Sequence, residues 1–283
     1  MNLKTKYLGI PLKHPLVIGS SSLTNDLNSV RELEDEGAAA LVLRSLYEEE
    51  NTDEQMDAFF NTDSHGESSP EAGSYFPDPE LALGPDEYLE HLRLVKQAVE
   101  IPVIASLCGT STCSWISYAK LIEQAGADAV ELDLYHSASD ADTSAAEVEG
   151  QMIEIVREVR QGVGIPVAAK LSPLFTAFAN FAGRLDAVGV DGLVLFTRFH
   201  KVDIDVVDLE VLRSLQLSDS SELQLRLRGA AVLAGRVNAS IAIAGGVHTA
   251  TDVVKATMAG ASVTQLVSAI LKNGPRYLRT LRA

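Results

Sequence analysis

Short apolar segments alternate with longer amphipathic segments along most of this chain. Several amphipathic segments end at a glycine that an apolar run follows, a pattern typical of a helix that leads into a strand. This pattern recurs at residues 36–44, 125–133, 188–196 and 259–266. A second pattern, Ile-Pro before an apolar run, recurs at 101–106 and 165–170. Strands that are apolar on both faces and separated by helices indicate a buried parallel sheet.

The alternation predicts eight strand–helix units in a single domain that covers residues 1–283. Strands are expected near residues 15–21, 40–46, 103–109, 129–135, 167–173, 192–198, 239–245 and 262–268. Helices are expected near 26–36, 86–99, 113–125, 144–162, 176–188, 222–238, 249–258 and 270–281. Eight such units favour a (β/α)8 TIM barrel over a doubly wound open sheet. No glycine-rich dinucleotide motif follows the first strand, which also disfavours a Rossmann fold.

Two longer segments interrupt the alternation, one after the second strand and one after the sixth. Residues 47–85 are acidic and follow a strand end of the kind that borders barrel active sites, so a lid is one interpretation. A disordered excursion or a subunit contact in a homodimer is the alternative. Residues 199–221 are expected to form a second long loop with a solvated surface, because their aspartates match no calcium-binding spacing.

Composition narrows the possible functions. The chain has 283 residues, 46% of them hydrophobic, which is enough for a barrel of about 250 residues. Its formal net charge of -16 argues against binding to nucleic acid or to an anionic membrane, since both require a basic surface. Cys108 and Cys113 are expected to be reduced thiols that fill space. No apolar run approaches the ~20 residues of a membrane span, so we expect a soluble, cytoplasmic protein.

The segments 242–249 and 261–268 predict a site for a phosphate group. In the first, an apolar strand leads into Gly245-Gly246 and then into Thr249, which can start a helix. Glycines let backbone N–H groups approach an anion, and the N-terminus of the next helix adds the positive end of its dipole. His248 is expected to contribute its backbone there rather than its ring.

Polar residues at other strand ends are expected to face the same site, because strand C-termini border the active site of a barrel. Lys170 follows an apolar run, where a lysine is costly unless it contacts an anion or a functional partner. Arg44 has the equivalent place in the second unit, with a salt bridge to the acidic loop as an equal alternative. Glu131 and Asp133 share a strand face and suit acid–base chemistry, a metal ion or pairing with Lys170, which we favour for Glu131. His136 is either a proton carrier or an exposed histidine without a role.

Short motifs follow one another at the strand ends: 15–17 with 19–21, 44–45, 105–109, 131–133, 170–173, 245–247 and 260–262. In this order they resemble the dihydroorotate dehydrogenase family of FMN-dependent barrels, over nearly the whole chain. The resemblance implies that FMN is the cofactor and takes a hydride from a small-molecule substrate whose proton a base removes. The residues implied in binding FMN are Gly19, Ser20, Ser21, Arg44, Ser45, Ser106, Asp133, Lys170, Thr197, Gly245, Gly246, Val267 and Ser268. The implied catalytic residues are Lys170, which would stabilise reduced flavin, Arg44, and His136 in the position of the base.

Several positions depart from the family's pattern. The family's second-strand lysine is replaced by Arg44, and its asparagines by Asp133, Thr197 and Ala138. The resemblance implies oxidation of dihydroorotate to orotate, a step of pyrimidine biosynthesis. An aspartate at the substrate end would repel the orotate carboxylate, so these replacements weigh against that substrate.

Two alternatives stay open. A phosphate-binding aldolase or isomerase on the same fold would use Lys170 as a Schiff-base or electrostatic residue. A non-catalytic descendant would keep the barrel as a binding or assembly module for FMN or another phosphate ligand.

Overall fold

Eight parallel strands close into a barrel in the computed structural model, which describes residues 3–47, 84–108, 112–134, 141–197, 201–206, 210–214 and 216–282. In chain order the strands are β1 (Thr5–Tyr7), β2 (Ile10–Leu12), β3 (Leu16–Ile18), β4 (Ala40–Tyr47), β5 (Val103–Cys108), β6 (Ala129–Asp133), β7 (Val167–Leu171), β8 (Gly192–Leu195), β9 (Lys201–Asp205), β10 (Glu210–Ser214), β11 (Ser240–Ala244) and β12 (Val263–Leu266). The barrel consists of β3 to β8 with β11 and β12, and β12 pairs with β3 to close the ring. The predicted (β/α)8 barrel is confirmed.

Helices connect the barrel strands and cover them from outside. In chain order they are α1 (Leu27–Asp35), α2 (Pro85–Ala98), α3 (Thr112–Gln124), α4 (Ala145–Gly162), α5 (Phe178–Ala187), α6 (Leu223–Leu233), α7 (Ala250–Met258), α8 (Ser268–Asn273) and α9 (Tyr277–Arg282). Two of them begin with a capping box, in which Ser144 and Thr249 exchange hydrogen bonds with Glu147 and Asp252. The predicted helix start at Thr249 is confirmed.

The predicted single helix over residues 270–281 is wrong, because two short helices occupy this region. Gly274 follows α8 with φ of +77°, a left-handed conformation that glycine adopts readily. Pro275 comes next, and its missing N–H cannot continue the helix. In α9, Leu278 and Leu281 then pack into the core.

A short antiparallel hairpin, β1 with β2, closes the N-terminal end of the barrel. The buried side chains of Tyr7, Leu8 and Leu12 join the apolar side chains inside the barrel. Thr5 Oγ1 donates to the carbonyl oxygen of Ser262, 2.9 Å away, which ties the hairpin to the barrel. The sequence analysis missed this hairpin, because strands of three residues are too short to show an alternating pattern. With this end filled, the polar strand ends lie at the opposite, C-terminal end.

The described residues of the segment 199–221 form more than the predicted long loop. β9 and β10 pair as an antiparallel hairpin. A turn of 3-10 helix at Ser220–Glu222 follows, and Asp219 caps it by accepting the N–H group of Ser221 at 2.8 Å. The loop prediction is therefore wrong for the hairpin, and Asp219 has a local structural role.

The acidic segment 47–85 lies mostly outside the described residues, which end at Tyr47 and resume at Gly84. Its predicted roles as a lid or as a homodimer contact stay predictions. No helix in the described part of the chain is both long and apolar enough to cross a membrane.

Replacing Leu8 with Ala tests the packing of the β1–β2 hairpin. Leu8 is 1% exposed, and a Cβ on Gly192 would collide with its side chain, so Leu8 fills the space beside β8. We expect the free energy of unfolding, measured by urea denaturation, to fall by about 2–5 kcal/mol, the usual loss for a buried leucine. Leu174→Ala is the control, because Leu174 is 77% exposed. An equal loss in both variants would contradict this role of the hairpin.

Candidate active site

The register of the barrel brings three charged residues together at the C-terminal strand ends. Glu131 and Asp133 alternate with Leu132 along β6, so both carboxylates lie on one face of the strand. β6 pairs with β7 so that Asp133 is opposite Lys170. The three charged residues predicted to face the site from these two strands are therefore adjacent.

Lys170 forms ion pairs with both carboxylates. Its Nζ atom lies 3.2 Å from Asp133 Oδ2 and 3.6 Å from Glu131 Oε1. The side chains of Lys170 and Asp133 are 13% and 14% exposed, whereas Glu131 is fully buried. The favoured pairing with Glu131 is present, and Asp133 is the closer partner. The charge of Lys170 is thus balanced within the barrel, as a buried charge requires.

Glu131 is also held by a glutamine that the sequence analysis did not select. Gln265 Nε2 donates to Glu131 Oε2 at 2.5 Å, and both side chains are buried. Burial raises the pKa of Glu131, Lys170 and Gln265 oppose this rise, and the Asp133 carboxylate adds to it. Burial and then the Glu131 carboxylate also raise the pKa of the Tyr7 hydroxyl. A polar residue in a strand that is buried throughout was the available signal for Gln265.

Thr197 orients the second carboxylate. Its Oγ1 donates to Asp133 Oδ1 at 2.7 Å, while Asp133 Oδ2 faces Lys170. Thr197 follows β8, so these contacts join the ends of three consecutive strands. Asp133 and Thr197, two positions that depart from the family's pattern, are thus hydrogen-bonded to each other.

A line of serine hydroxyl groups crosses the ends of β3, β4 and β5. Ser45 Oγ lies 3.3 Å from Ser20 Oγ and 2.8 Å from Ser106 Oγ. An irregularity in the register of β4 between Val42 and Ser45 sets this alignment. The Tyr88 hydroxyl fixes Ser106, because it donates to the carbonyl at 3.1 Å and accepts the N–H group at 3.0 Å. The sequence analysis did not select Tyr88, whose partner is 18 residues away.

The other predicted residues in this part of the barrel make local contacts. Ser21 Oγ donates to the carbonyl oxygen of Gly19 at 3.2 Å. The half-buried Arg44 donates its backbone N–H to Thr24 Oγ1 at 3.0 Å. A Cβ on Gly19 would lie 2.9 Å from Val267 Cγ2. Gly19 and Val267, both implied in FMN binding, are therefore in direct contact.

The predicted phosphate site at Gly245, Gly246 and Ser268, called the cradle below, is assembled around Ser218, which precedes α6. The Gly246 N–H group donates to Ser218 Oγ at 3.3 Å, and the Ser218 N–H group donates to Ser268 Oγ at 3.1 Å. Ser218 is 1% exposed and joins the loops that follow β11 and β12. The sequence analysis missed Ser218, because its partners lie 28 and 50 residues away in the chain.

Packing within the chain explains both glycines of the cradle. Gly245 and Gly246 have φ of +82° and +77°, values that favour glycine. A Cβ on Gly245 would lie 3.0 Å from Arg226 Nη2, and one on Gly246 would lie 2.5 Å from the backbone nitrogen of Leu223. The case for a phosphate there consequently depends on the polar groups around the glycines.

Two basic side chains lie beside the cradle. His248 Nε2 is 3.0 Å from Ser218 Oγ, and Lys272 Nζ donates to the Ser218 carbonyl oxygen at 2.9 Å. Burial lowers the pKa of His248, Lys272 lowers it further, and three nearby carboxylates oppose the shift. The His248 ring, which the sequence analysis set aside in favour of the backbone, thus has a contact of its own.

The remaining candidates are the two cysteines and His136. Burial, followed by the Asp133 carboxylate, raises the pKa of the Cys108 thiol well above its usual value, while Lys170 opposes the rise. A thiol of this kind is protonated at neutral pH, which agrees with the predicted space-filling role. His136 lies outside the described residues, as does the side chain of Cys113, so their roles stay predictions.

Comparison with known proteins places the chain in a family. The profile of the family described as dihydroorotate dehydrogenase matches residues 2–282. The chain belongs to the dihydroorotate dehydrogenase family. One relative is the catalytic subunit of dihydroorotate dehydrogenase B (NAD(+)) from Thermoplasma acidophilum, which is 27% identical over 290 residues, or 99% of this chain and 91% of the relative. The catalytic subunit of the same name from Methanothermobacter thermautotrophicus is 26% identical over 286 residues, or 96% of this chain and 88% of the relative.

Members of the dihydroorotate dehydrogenase family are FMN-dependent dehydrogenases that act on CH–CH bonds. The resemblance inferred from the strand ends is confirmed. The structure collects the predicted residues into two groups at one end of the barrel. The mouth group is Ser20, Ser45, Ser106, Asp133, Lys170 and Thr197, and the cradle group is Gly245, Gly246 and Ser268.

The raised pKa of Glu131 predicts a pH-dependent stability. The folded state holds this proton more tightly than the unfolded chain, so stability falls as pH rises above the ordinary carboxyl pKa. Glu131→Gln removes the titration and keeps an oxygen acceptor for Gln265. We expect urea denaturation to show that the variant gains stability over the wild type as pH rises from about 5 to about 8.

The exposed Glu32 supplies the matched control, Glu32→Gln, which should keep a constant difference from the wild type. If the difference between Glu131→Gln and the wild type were also the same at every pH, Glu131 would not be the group that titrates.

Proposed function

We propose that this protein uses FMN to oxidise a CH–CH bond of a small substrate at the C-terminal end of the barrel. The observation that carries this proposal is the position of Lys170. Its ammonium group lies at the barrel mouth between Asp133 and Glu131, at the same end as the glycine cradle. A cation there and an anion site at the edge of the same face suit a flavin nucleotide, which has a ring at one end and a phosphate at the other.

The residues of the cradle fit a phosphate group. Gly245 and Gly246 bring backbone without a Cβ to the cradle, and the Gly246 N–H group donates to an oxygen acceptor, Ser218 Oγ, at 3.3 Å. Lys272 and His248 adjoin the same serine. In the proposed complex these groups, with the backbone at Val267 and Ser268, hold the phosphate.

The mouth group holds the flavin ring in the proposed complex. FMN, when bound, supplies the acceptor for a hydride from the substrate. Lys170 would offer a fixed cation to the negative charge that a reduced flavin ring carries. The hydroxyl groups of Ser20, Ser45 and Ser106 provide hydrogen-bonding partners along β3 to β5. His136 is the proposed proton acceptor.

The ion pairs of Lys170 favour this electrostatic role over the Schiff-base alternative. An ammonium group paired with two carboxylates has no lone pair for attack on a carbonyl carbon. Borohydride trapping of a substrate adduct on Lys170 would reverse this preference.

The charge of Asp133 sets the expected substrate apart from dihydroorotate. Asp133 is only partly balanced, because Lys170 is shared with Glu131 and Thr197 contributes a neutral hydrogen bond. A substrate carboxylate beside it would meet a like charge at low exposure, which costs affinity. We therefore propose a substrate that is neutral or cationic where it approaches Asp133.

Removing the charge of Lys170 tests the flavin role. The purified protein should show the visible absorbance of oxidised flavin, or acquire it when FMN is added. In Lys170→Met, we expect chemical reduction of bound FMN to slow by about 100-fold, because the charge that stabilises the reduced ring is gone. Stopped-flow absorbance measures this rate.

Lys120→Met at an exposed lysine is the control and should reduce at the wild-type rate. A colourless protein that takes up no FMN would remove the proposed function altogether. An unchanged reduction rate in Lys170→Met would remove only the role of Lys170.

Replacing Asp133 with Asn tests the substrate proposal. The change keeps an acceptor for Thr197 and removes the repulsion of an anionic ligand. We expect orotate to bind the FMN-loaded variant about tenfold more tightly than the wild type, measured by its effect on the flavin absorbance. Asp35→Asn, at an exposed aspartate, should not change orotate binding. Rapid reduction of wild-type flavin by dihydroorotate would contradict the proposed substrate class.

A further inference from the structure

A buried arginine lies against the glycine pair that follows β11. Arg226 is 5% exposed, although it belongs to α6, a helix on the outside of the barrel. A guanidinium group is among the costliest groups to bury, so its surroundings must compensate it. The roles proposed for Lys170 and the mouth group do not explain why Arg226 is buried here, or what offsets the free-energy cost of its burial.

The contacts of Arg226 connect a strand end to a helix start. Its Nε atom donates to the carbonyl oxygen of Ala244, the last residue of β11. Its Nη1 atom donates to the carbonyl oxygen of Glu222 at 2.8 Å and lies 3.8 Å from Glu222 Oε2. The guanidinium group thus fixes the distance between the end of β11 and the beginning of α6.

The same group occupies the space on the Cβ side of Gly245. A Cβ on Gly245 would lie 3.0 Å from Arg226 Nη2, 3.2 Å from Nε and 3.3 Å from Cζ. The guanidinium group therefore lies close to the glycine backbone. Any side chain at position 245 would displace it, even before the cost of the positive φ.

The charges around the cradle give this position an electrostatic consequence. The carboxylates of Asp252, Asp219 and Glu222 all raise the pKa of His248, so they act across the same region. Without cations, these carboxylates would oppose the binding of a phosphate dianion. Lys272 supplies one positive charge at the surface of the cradle, and Arg226 supplies a second from behind Gly245.

We infer that Arg226 is a positioning residue of the cradle, which directs the backbone of Gly245 and Gly246 toward a phosphate group and offsets the surrounding carboxylates. The inference rests on the proposed function, because it assigns the phosphate to FMN. It separates two parts of one ligand: Arg226 acts on the phosphate end, and Lys170 acts on the ring.

Comparing FMN with riboflavin tests this assignment, because riboflavin has the same ring and lacks the phosphate. The dissociation constants of both are measured by quenching of flavin fluorescence in the wild type and in Arg226→Met. We expect the variant to bind FMN about tenfold more weakly, because the cradle loses one positive charge and the alignment of its glycines, and to bind riboflavin within about twofold of the wild type. Arg226→Gln, which keeps a planar donor and loses the charge, provides the same comparison where the methionine variant folds poorly.

The matched control is Arg228→Met, two residues further along α6, where the arginine is exposed. It should leave both dissociation constants unchanged. Equal weakening of FMN and riboflavin in the Arg226 variants would show a purely structural role and overturn the inference, while the proposed function would survive. Wild-type protein that binds riboflavin as tightly as FMN would overturn the cradle assignment, and wild-type protein that binds neither would overturn both proposals.

Discussion

The charge of Lys170 is the constraint on which the open end of the barrel depends. A lysine that is 13% exposed must have its charge balanced by neighbours, and Asp133 and Glu131 provide that balance at 3.2 and 3.6 Å. Each carboxylate then requires its own orientation, which Thr197 and Gln265 supply by hydrogen bonds. The charge of Lys170 therefore connects side chains from four barrel strands or their ends: β6, β7, β8 and β12.

The cradle is organised by a different requirement, the close approach of three backbone segments. Ser218 connects the loops after β11 and β12, and the start of α6 packs directly on Gly246. Here the absence of side chains matters more than their chemistry, because a Cβ on Gly246 would collide with the backbone of Leu223 and one on Gly245 would crowd Arg226. The two halves of the open end thus differ in kind: charge determines the mouth group, and packing determines the cradle.

These differences also explain how far the sequence could predict the molecule. The barrel was predictable because glycine-closed helices and apolar strands recur along the chain, and each repeat reports a local preference. Lys170, Asp133 and Glu131 were predictable because strand alternation and strand ends fix their direction.

Other features depend on contacts that leave no local signal. Gln265 meets Glu131 across 134 residues of chain, and Ser218 and Arg226 matter only because α6 packs on the cradle. The β1–β2 hairpin was hidden because its strands are too short for a pattern. The β9–β10 hairpin was predicted as a loop, because the aspartates of that segment match no calcium-binding spacing and indicate a solvated surface.

If FMN binds as proposed, sharing Lys170 between the carboxylates and the flavin has a chemical consequence. A cation that already interacts with Asp133 and Glu131 offers a reduced ring less stabilisation than an unshared cation would. Protonation of Glu131, whose pKa is raised by burial, would release part of that charge. The driving force for reduction in the proposed enzyme then depends on the ionisation of a carboxyl group beneath the site. In the proposed enzyme, Asp133, held by Thr197 at the mouth, would govern which substrate can approach. Under the proposed function, the same ion-paired cluster would therefore link the choice of substrate to the electronics of the cofactor.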